Sequence, residues 1–209
     1  MSLTLRRPSR WVLVVLSISI VLTALAVFGP RLSERGASLY QNYQEVRADE
    51  SFREFEHFYD LTHVARASAR SESFAGLRRG QFAADELART YRRFPKWDWN
   101  YGNAIHYLHV VYGRIALSDG DLQNARCHLL EAGKTPGSPQ LNDYGPDMTL
   151  AQELLERGES DAVLQYFGEC EKFWLVPGKS RLPEWTADVA AGRIPDFGAN
   201  SGLSMKSSK

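Results

Sequence analysis

Three histidines, two cysteines and a pair of tryptophans are the side chains of this sequence best suited to specific chemistry. His106 and His109 stand three residues apart, a spacing that lets two side chains meet on one helical face, and His128 falls on the partner helix of the same hairpin. Imidazoles grouped this way are the start of a metal centre. A zinc site needs three or four ligands, and neither H-E-x-x-H nor clustered carboxylates accompany these. Packed or exposed histidines are therefore the expectation, and a metal-dependent enzyme centred on His106 and His109 is the remote alternative. Cys127 and Cys170 form no C-x-x-C pair and read as core thiols, with a bridge between them left open. Trp97 and Trp99 flank Asp98 in PKWDWNYGN. Two indoles there either stack on a peptide or sugar or plug the end of a helical stack, and the second reading is preferred.

Other catalytic signatures are missing. The chain has no G-x-S-x-G, no S-x-x-K set and no G-x-x-x-x-G-K-[ST]. Acids such as Glu153, Glu156, Glu159 and Asp161 are spread in the manner of solvated helix faces. The expectation is a protein without enzymatic activity, with no catalytic residue, no cofactor and no bound metal.

The elements that would position these residues start with a hydrophobic segment. Trp11 to Phe28 reads WVLVVLSISIVLTALAVF, uncharged throughout and closed by Gly29 and Pro30. A helix of that length is about 27 Å long, close to the thickness of the bilayer hydrocarbon. The segment 11–29 is read as a transmembrane helix, preceded by a basic segment at 1–10. A cleaved signal peptide competes, with Ala24-Leu25-Ala26 as its small-x-small site. Arg6, Arg7 and Arg10 precede the segment while Arg31 and Arg35 follow it, which favours a cytoplasmic N-terminus and an extracytoplasmic, periplasmic-type domain. Formal net charge is zero; with those three arginines set apart from the total of 25, 22 basic residues face 25 acidic ones. That balance gives no footprint for nucleic acid. Hydrophobic residues at 44% and charged residues at 24% of 209 suit one globular domain beyond the membrane segment.

Helical periodicity dominates that domain, and no period-two alternation is sustained. Leu39, Tyr43, Val46, Phe55, Phe58, Leu61 and Val64 recur mostly at three- or four-residue steps, predicting a helical stalk over 30–70. Beyond it the chain repeats. Gly80, Gly120 and Gly158 are each preceded three residues earlier by Leu77, Leu117 and Leu155, and seven residues earlier by Ser73, Gly113 and Ala151. A second apolar helix follows each glycine, and each unit reaches a proline at Pro95, Pro136 or Pro177. The physics is that of stacked helix hairpins. Small residues allow close approach, glycine ends the first helix and proline ends the second.

On these residues the chain resembles the tetratricopeptide repeat (TPR) family. The unit from His106 supplies Gly113, Gly120, Ala125, Leu129, Ala132 and Pro136, and the unit around Leu150 supplies Ala151, Gly158, Phe167 and Cys170. The first unit is degenerate, with Asp85 where the family has alanine. The stretches GKTPGSPQLNDYGPDMTLAQELLERGE and PDFGAN also resemble an uncharacterised group of bacterial TPR-like proteins with an N-terminal anchor, which implies a fold and no activity. The resemblance implies an all-α fold of about three hairpins over 71–200. It also implies partner contacts on the face made by the first helices, at Arg78, Tyr107, Arg114, Gln152 and Glu156. Trp97 and Trp99 join that set as loop candidates. Residues 133–147 are expected as a loop that ends with Asp147 as a helix N-cap, Trp185 and Val189 as a capping helix, and 201–209 as a disordered tail. The expected function is a membrane-anchored scaffold, or an accessory or assembly subunit, whose partners are other proteins of a membrane complex. The alternative is a secreted glycan- or peptide-binding module that uses Trp97 and Trp99.

Overall fold

The computed structural model describes residues 50–175 and 178–203. Within them all regular structure is helical: α1 (Glu50–Ala69), α2 (Phe74–Thr90), α3 (Tyr101–Ser118), α4 (Leu122–Gly133), α5 (Pro139–Tyr144), α6 (Thr149–Leu155), α7 (Ser160–Cys170) and α8 (Leu182–Ala190), with short 3-10 turns between some of them. No described helix is long and apolar enough to cross a membrane; the expected span at 11–29 lies outside the described residues, as do Pro177 and most of the stalk. The chain divides at Glu56/His57 into two compact units. Of the first, the opening turns of α1 are described, with Arg53, Glu54 and Glu56 exposed.

The second unit begins inside the segment read as a stalk. Phe58, Leu61, Ala65 and Ala69 are all buried in the core, so this part of α1 packs as a full member of the domain. Val64, counted with that stripe in the sequence, points to solvent. Three hairpins follow in order: α1/α2, α3/α4 and α6/α7.

Glycine and serine explain the turns. Gly120 and Gly158 adopt left-handed backbone (φ +83° and +82°). In each case the next amide closes the helix by bonding five residues back, Asp121 N–H to Ala116 O and Glu159 N–H to Leu154 O. This is the glycine helix ending that the repeat predicts. Gly80 behaves differently. It lies inside α2, which runs on to Thr90, and a Cβ there would stand 2.3 Å from Ser68 Cβ and 3.4 Å from Val111 Cγ1. Gly80 is therefore the contact point of α1, α2 and α3 rather than a terminator. The first hairpin turns earlier, at Arg70–Ser73, where Ser73 Oγ accepts the Gly76 N–H and caps α2.

Close approach also holds the later hairpins together. A Cβ on Gly113 would fall 2.2 Å from Leu150 Cδ2 and 3.2 Å from His128 Cβ, which places Gly113 where α3 meets α4 and α6. Gly133 meets Tyr166 and Glu169 of α7 in the same way. The long connection at 133–147 is not simply a loop. Ser138 caps a short helix, α5, by accepting the Leu141 N–H, and Pro139 sits in its first turn. Asp147 is fully buried one position before the assigned cap of α6, with Oδ1 accepting the Thr149 N–H.

Trp185 and Val189 are buried on α8, as the capping reading expects. The tail reading needs correction at its start. Ser201 Oγ donates to Gln152 Oε1, Gly202 N–H donates to Thr149 Oγ1, and a Cβ on Gly202 would stand 2.6 Å from Arg70 Cα. Just before it, Asn200 donates to the carbonyls of Tyr144 and Pro146 and accepts the Met148 N–H on its own carbonyl. Hydrogen-bond partners, not polarity, decide this segment: every polar group just named has somewhere to bond.

Candidate functional site

The turns at 70–73, 118–121 and 156–159 lie together along one edge of the hairpin array, and a groove of about 260 Å³ opens there. Its floor is Arg114. The guanidinium is 6% exposed and makes a two-pronged contact with Glu153, Nε to Oε2 at 2.8 Å and NH2 to Oε1 at 2.5 Å. Its remaining nitrogen donates to the carbonyls of Ala69 and Ser71. Those carbonyls are left over where α1 ends and the turn begins, so a cation there satisfies acceptors that the helix cannot. Arg114 thus joins three first helices of the array: α3 carries it, α6 supplies Glu153 and α1 supplies the carbonyl.

The walls offer a different set. Phe74 projects from the first turn of α2 with 57% of its surface exposed, and the Arg78 guanidinium lies 4.8 Å from its ring centroid. Glu72, Glu156 and Arg157 are exposed on the rim. Arg157 has no carboxylate partner among the described residues, whereas Arg78 pairs with Asp119 across the turn. The volume is below that of an ordinary small-molecule pocket, and the groove is open along its length. One exposed ring with a free cation and acids beside it suits an extended polypeptide segment.

The expected partner-contact residues divide between three places. Arg114 and Glu156 line the groove, and Arg78 stands next to it. Tyr107 and Gln152 are buried: the Tyr107 ring lies 5.9 Å from the Arg66 guanidinium, and Gln152 is held by Ser201. The segment 200–202 bonds to the start of α6 and holds Gln152, while Tyr107 is buried beside Arg66 of α1, so both side chains are turned into the domain. Trp97 and Trp99 occupy the opposite edge. Trp99 packs edge-on against Tyr59 at 4.4 Å, while Trp97 is 63% exposed and plugs nothing. Glu72, Phe74 and Arg157 went unread in the sequence; an aromatic directly after a capping serine, off the Leu77–Ala84–Leu87 stripe, was the available signal for Phe74.

No protein-family model, curated protein or solved structure matches the chain.

The histidines separate rather than converge. His106 is fully buried, with Nδ1 3.1 Å from the Ala132 carbonyl and Nε2 accepting the Asp147 N–H at 2.9 Å. That pattern requires a neutral ring protonated on Nδ1, and burial accordingly lowers the His106 pKa. His109 turns the other way and shares a hydrogen bond with His128, Nδ1 to Nδ1 at 3.0 Å. Burial first, and the neighbouring His128 second, lower the His109 pKa to about 4. Burial lowers that of His128 too. His106 and His109 therefore do not meet, and no group of three or more metal-ligating side chains occurs among the described residues. Cys170 is buried and its thiol pKa pushed upward by that burial, whereas Cys127 is exposed on α4; both are free.

Proposed function

We propose that the chain is a membrane-anchored, TPR-like interaction module, a scaffold or accessory subunit that grips a partner protein in the groove on its hairpin-turn edge. The observation that carries the reading is the groove's division of labour. The pair of buried Arg114 with half-buried Glu153 locks its floor, while Phe74 and Arg157 are left available above it. A preorganised floor with an exposed aromatic anchor is what a peptide-binding surface requires. Three stacked hairpins support the TPR-like part of the reading, and the apolar run at 11–28 supports the anchor. Residues 57–203 then stand on the extracytoplasmic side.

The test is recovery of cross-linked partners from membranes with the full chain in mild detergent. Phe74→Asp and Arg157→Glu are expected to lose partners that wild type and Trp97→Ala both retain. Recovery of the same partners by all four proteins would sink the groove assignment. The exposed indole of Trp97 favours a second reading, a glycan- or peptide-binding module. Quenching of Trp97 fluorescence by soluble oligosaccharide would support that reading instead. A metal-dependent centre has no support in the geometry of His106 and His109.

A further inference from the structure

We infer that the edge opposite the groove is a docking surface for an anionic lipid bilayer, built from Trp97 and Trp99 with Arg92, Arg93 and Lys96. All five side chains are exposed within eight residues of one connection. None of the three cations pairs with a carboxylate among the described residues, although six of the ion pairs elsewhere in the domain use arginine. Arg92 instead lies 4.9 Å from the Tyr91 ring centroid. The one acid in the segment is withdrawn. Asp98 is 8% exposed, turned inward to accept the Asn100 N–H at 2.7 Å, and burial raises its carboxyl pKa. Around that turn Trp97 faces outward, and Trp99, one side against Tyr59, keeps 42% of its surface exposed.

Exposed indoles beside unpaired cations match the bilayer interface. Tryptophan prefers the headgroup level, where one end of the ring is wet and the other apolar. Each Lys or Arg near an anionic surface adds about fivefold in affinity. A protein partner would more often meet such cations with acids of its own and would bury the rings fully. Position argues the same way. Phe58 stacks on Phe94 at 4.0 Å, and Thr62 accepts a hydrogen bond from Asn100, so the chain enters this unit at the edge that carries the patch. The inference rests on the anchored reading above in one respect: an anchor at 11–29 would keep the chain at a bilayer. Docked in this way, α2 would stand the groove about 25 Å away from the lipid, presented to a partner.

The test uses the full chain reconstituted in phosphatidylcholine vesicles, with or without phosphatidylglycerol, carrying brominated acyl chains. The signal of Trp97 and Trp99 is the difference between wild type and the Trp97→Phe/Trp99→Phe variant. It is expected to be quenched and blue-shifted in anionic vesicles only. Quenching should be lost in high salt and in an Arg92→Glu/Arg93→Glu/Lys96→Glu variant. If that variant fails to fold, the salt dependence of the wild type alone decides. Equal quenching in neutral and anionic vesicles would overturn the proposal, as would no quenching in either. Carbonate extraction of the same samples reports the anchor separately. Protein released by carbonate that still binds anionic but not neutral vesicles would remove the anchor and keep this surface.

Discussion

The two edges of the hairpin array use similar residues in opposite ways. At the hairpin-turn edge the connections are short, and arginines are largely spent on the protein: Arg114 on Glu153 and two carbonyls, Arg78 on Asp119, Arg126 on Glu159. At the opposite edge the connection from Tyr91 to Asn100 is longer, and Arg92, Arg93 and Lys96 are committed to no acid among the described residues. Charge as such therefore says little about function in this fold. What separates a structural cation from an available one is whether leftover helix carbonyls and a carboxylate already surround it.

Breaking the committed edge should have the largest effect. Arg114→Ala leaves Glu153 and two carbonyls without their cation and is expected to cost about 3 kcal/mol, read as a lower denaturation midpoint. A loss below about 0.5 kcal/mol would mean that solvent already satisfies the site, and the contrast between the edges would collapse. Gly113→Leu comes next. Its side chain would enter the space of Leu150 and His128, for an expected cost of about 1–3 kcal/mol. Unfolding at the wild-type denaturant concentration would show that α3 and α6 are not in close contact.

Acid should act between α3 and α4. His109, His106 and His128 all have folded pKa values below the unfolded histidine value of about 6.5. The unfolded chain then binds more protons than the folded one, so stability is full above about pH 6.5 and falls as pH drops toward about 4. For His109 the loss is on the order of 3 kcal/mol by the lower limit, and it should disappear in His109→Gln, measured as the pH dependence of the thermal midpoint. An identical pH profile in that variant would show that His109 is not held neutral. The smallest effect belongs to the available edge. Trp97→Ala should change stability by less than about 0.5 kcal/mol. A larger loss would mean that Trp97 packs on the domain, which would remove it from any recognition surface.

The sequence made some of this legible and hid the rest for identifiable reasons. Gly120 and Gly158 were readable because a left-handed helix ending selects glycine from purely local geometry. Gly80 carries the same letter for a tertiary reason, contact with Ser68 and Val111, and only the fold distinguishes the two roles. Trp185 and Val189 were visible as a capping stripe because they bury one face of a short helix. Tyr107 and Gln152 read as surface by family resemblance, yet Tyr107 is buried beside α1, and a segment with little hydrophobic pattern, residues 200–202, holds Gln152 through a hydrogen bond. His106 paired plausibly with His109 by spacing; what reoriented it was a carbonyl on α4 and an amide at residue 147, backbone groups that no side-chain pattern records.

The seating of Gly202 against the Arg70 backbone bears on how the protein comes into being. Helical hairpins stacked in sequence can condense one after another as they emerge, each resting on the one before. This chain adds a closure between residues 132 positions apart, from Arg70 to Gly202, which forms only after Gly202 has been made. Vectorial assembly therefore includes a step that waits for residues 200–202 and ties them back to the first hairpin. A chain stopped before Asn200 would hold its hairpins without that fastening, exposing the start of α6 and the side chain of Gln152 to whatever surrounds it.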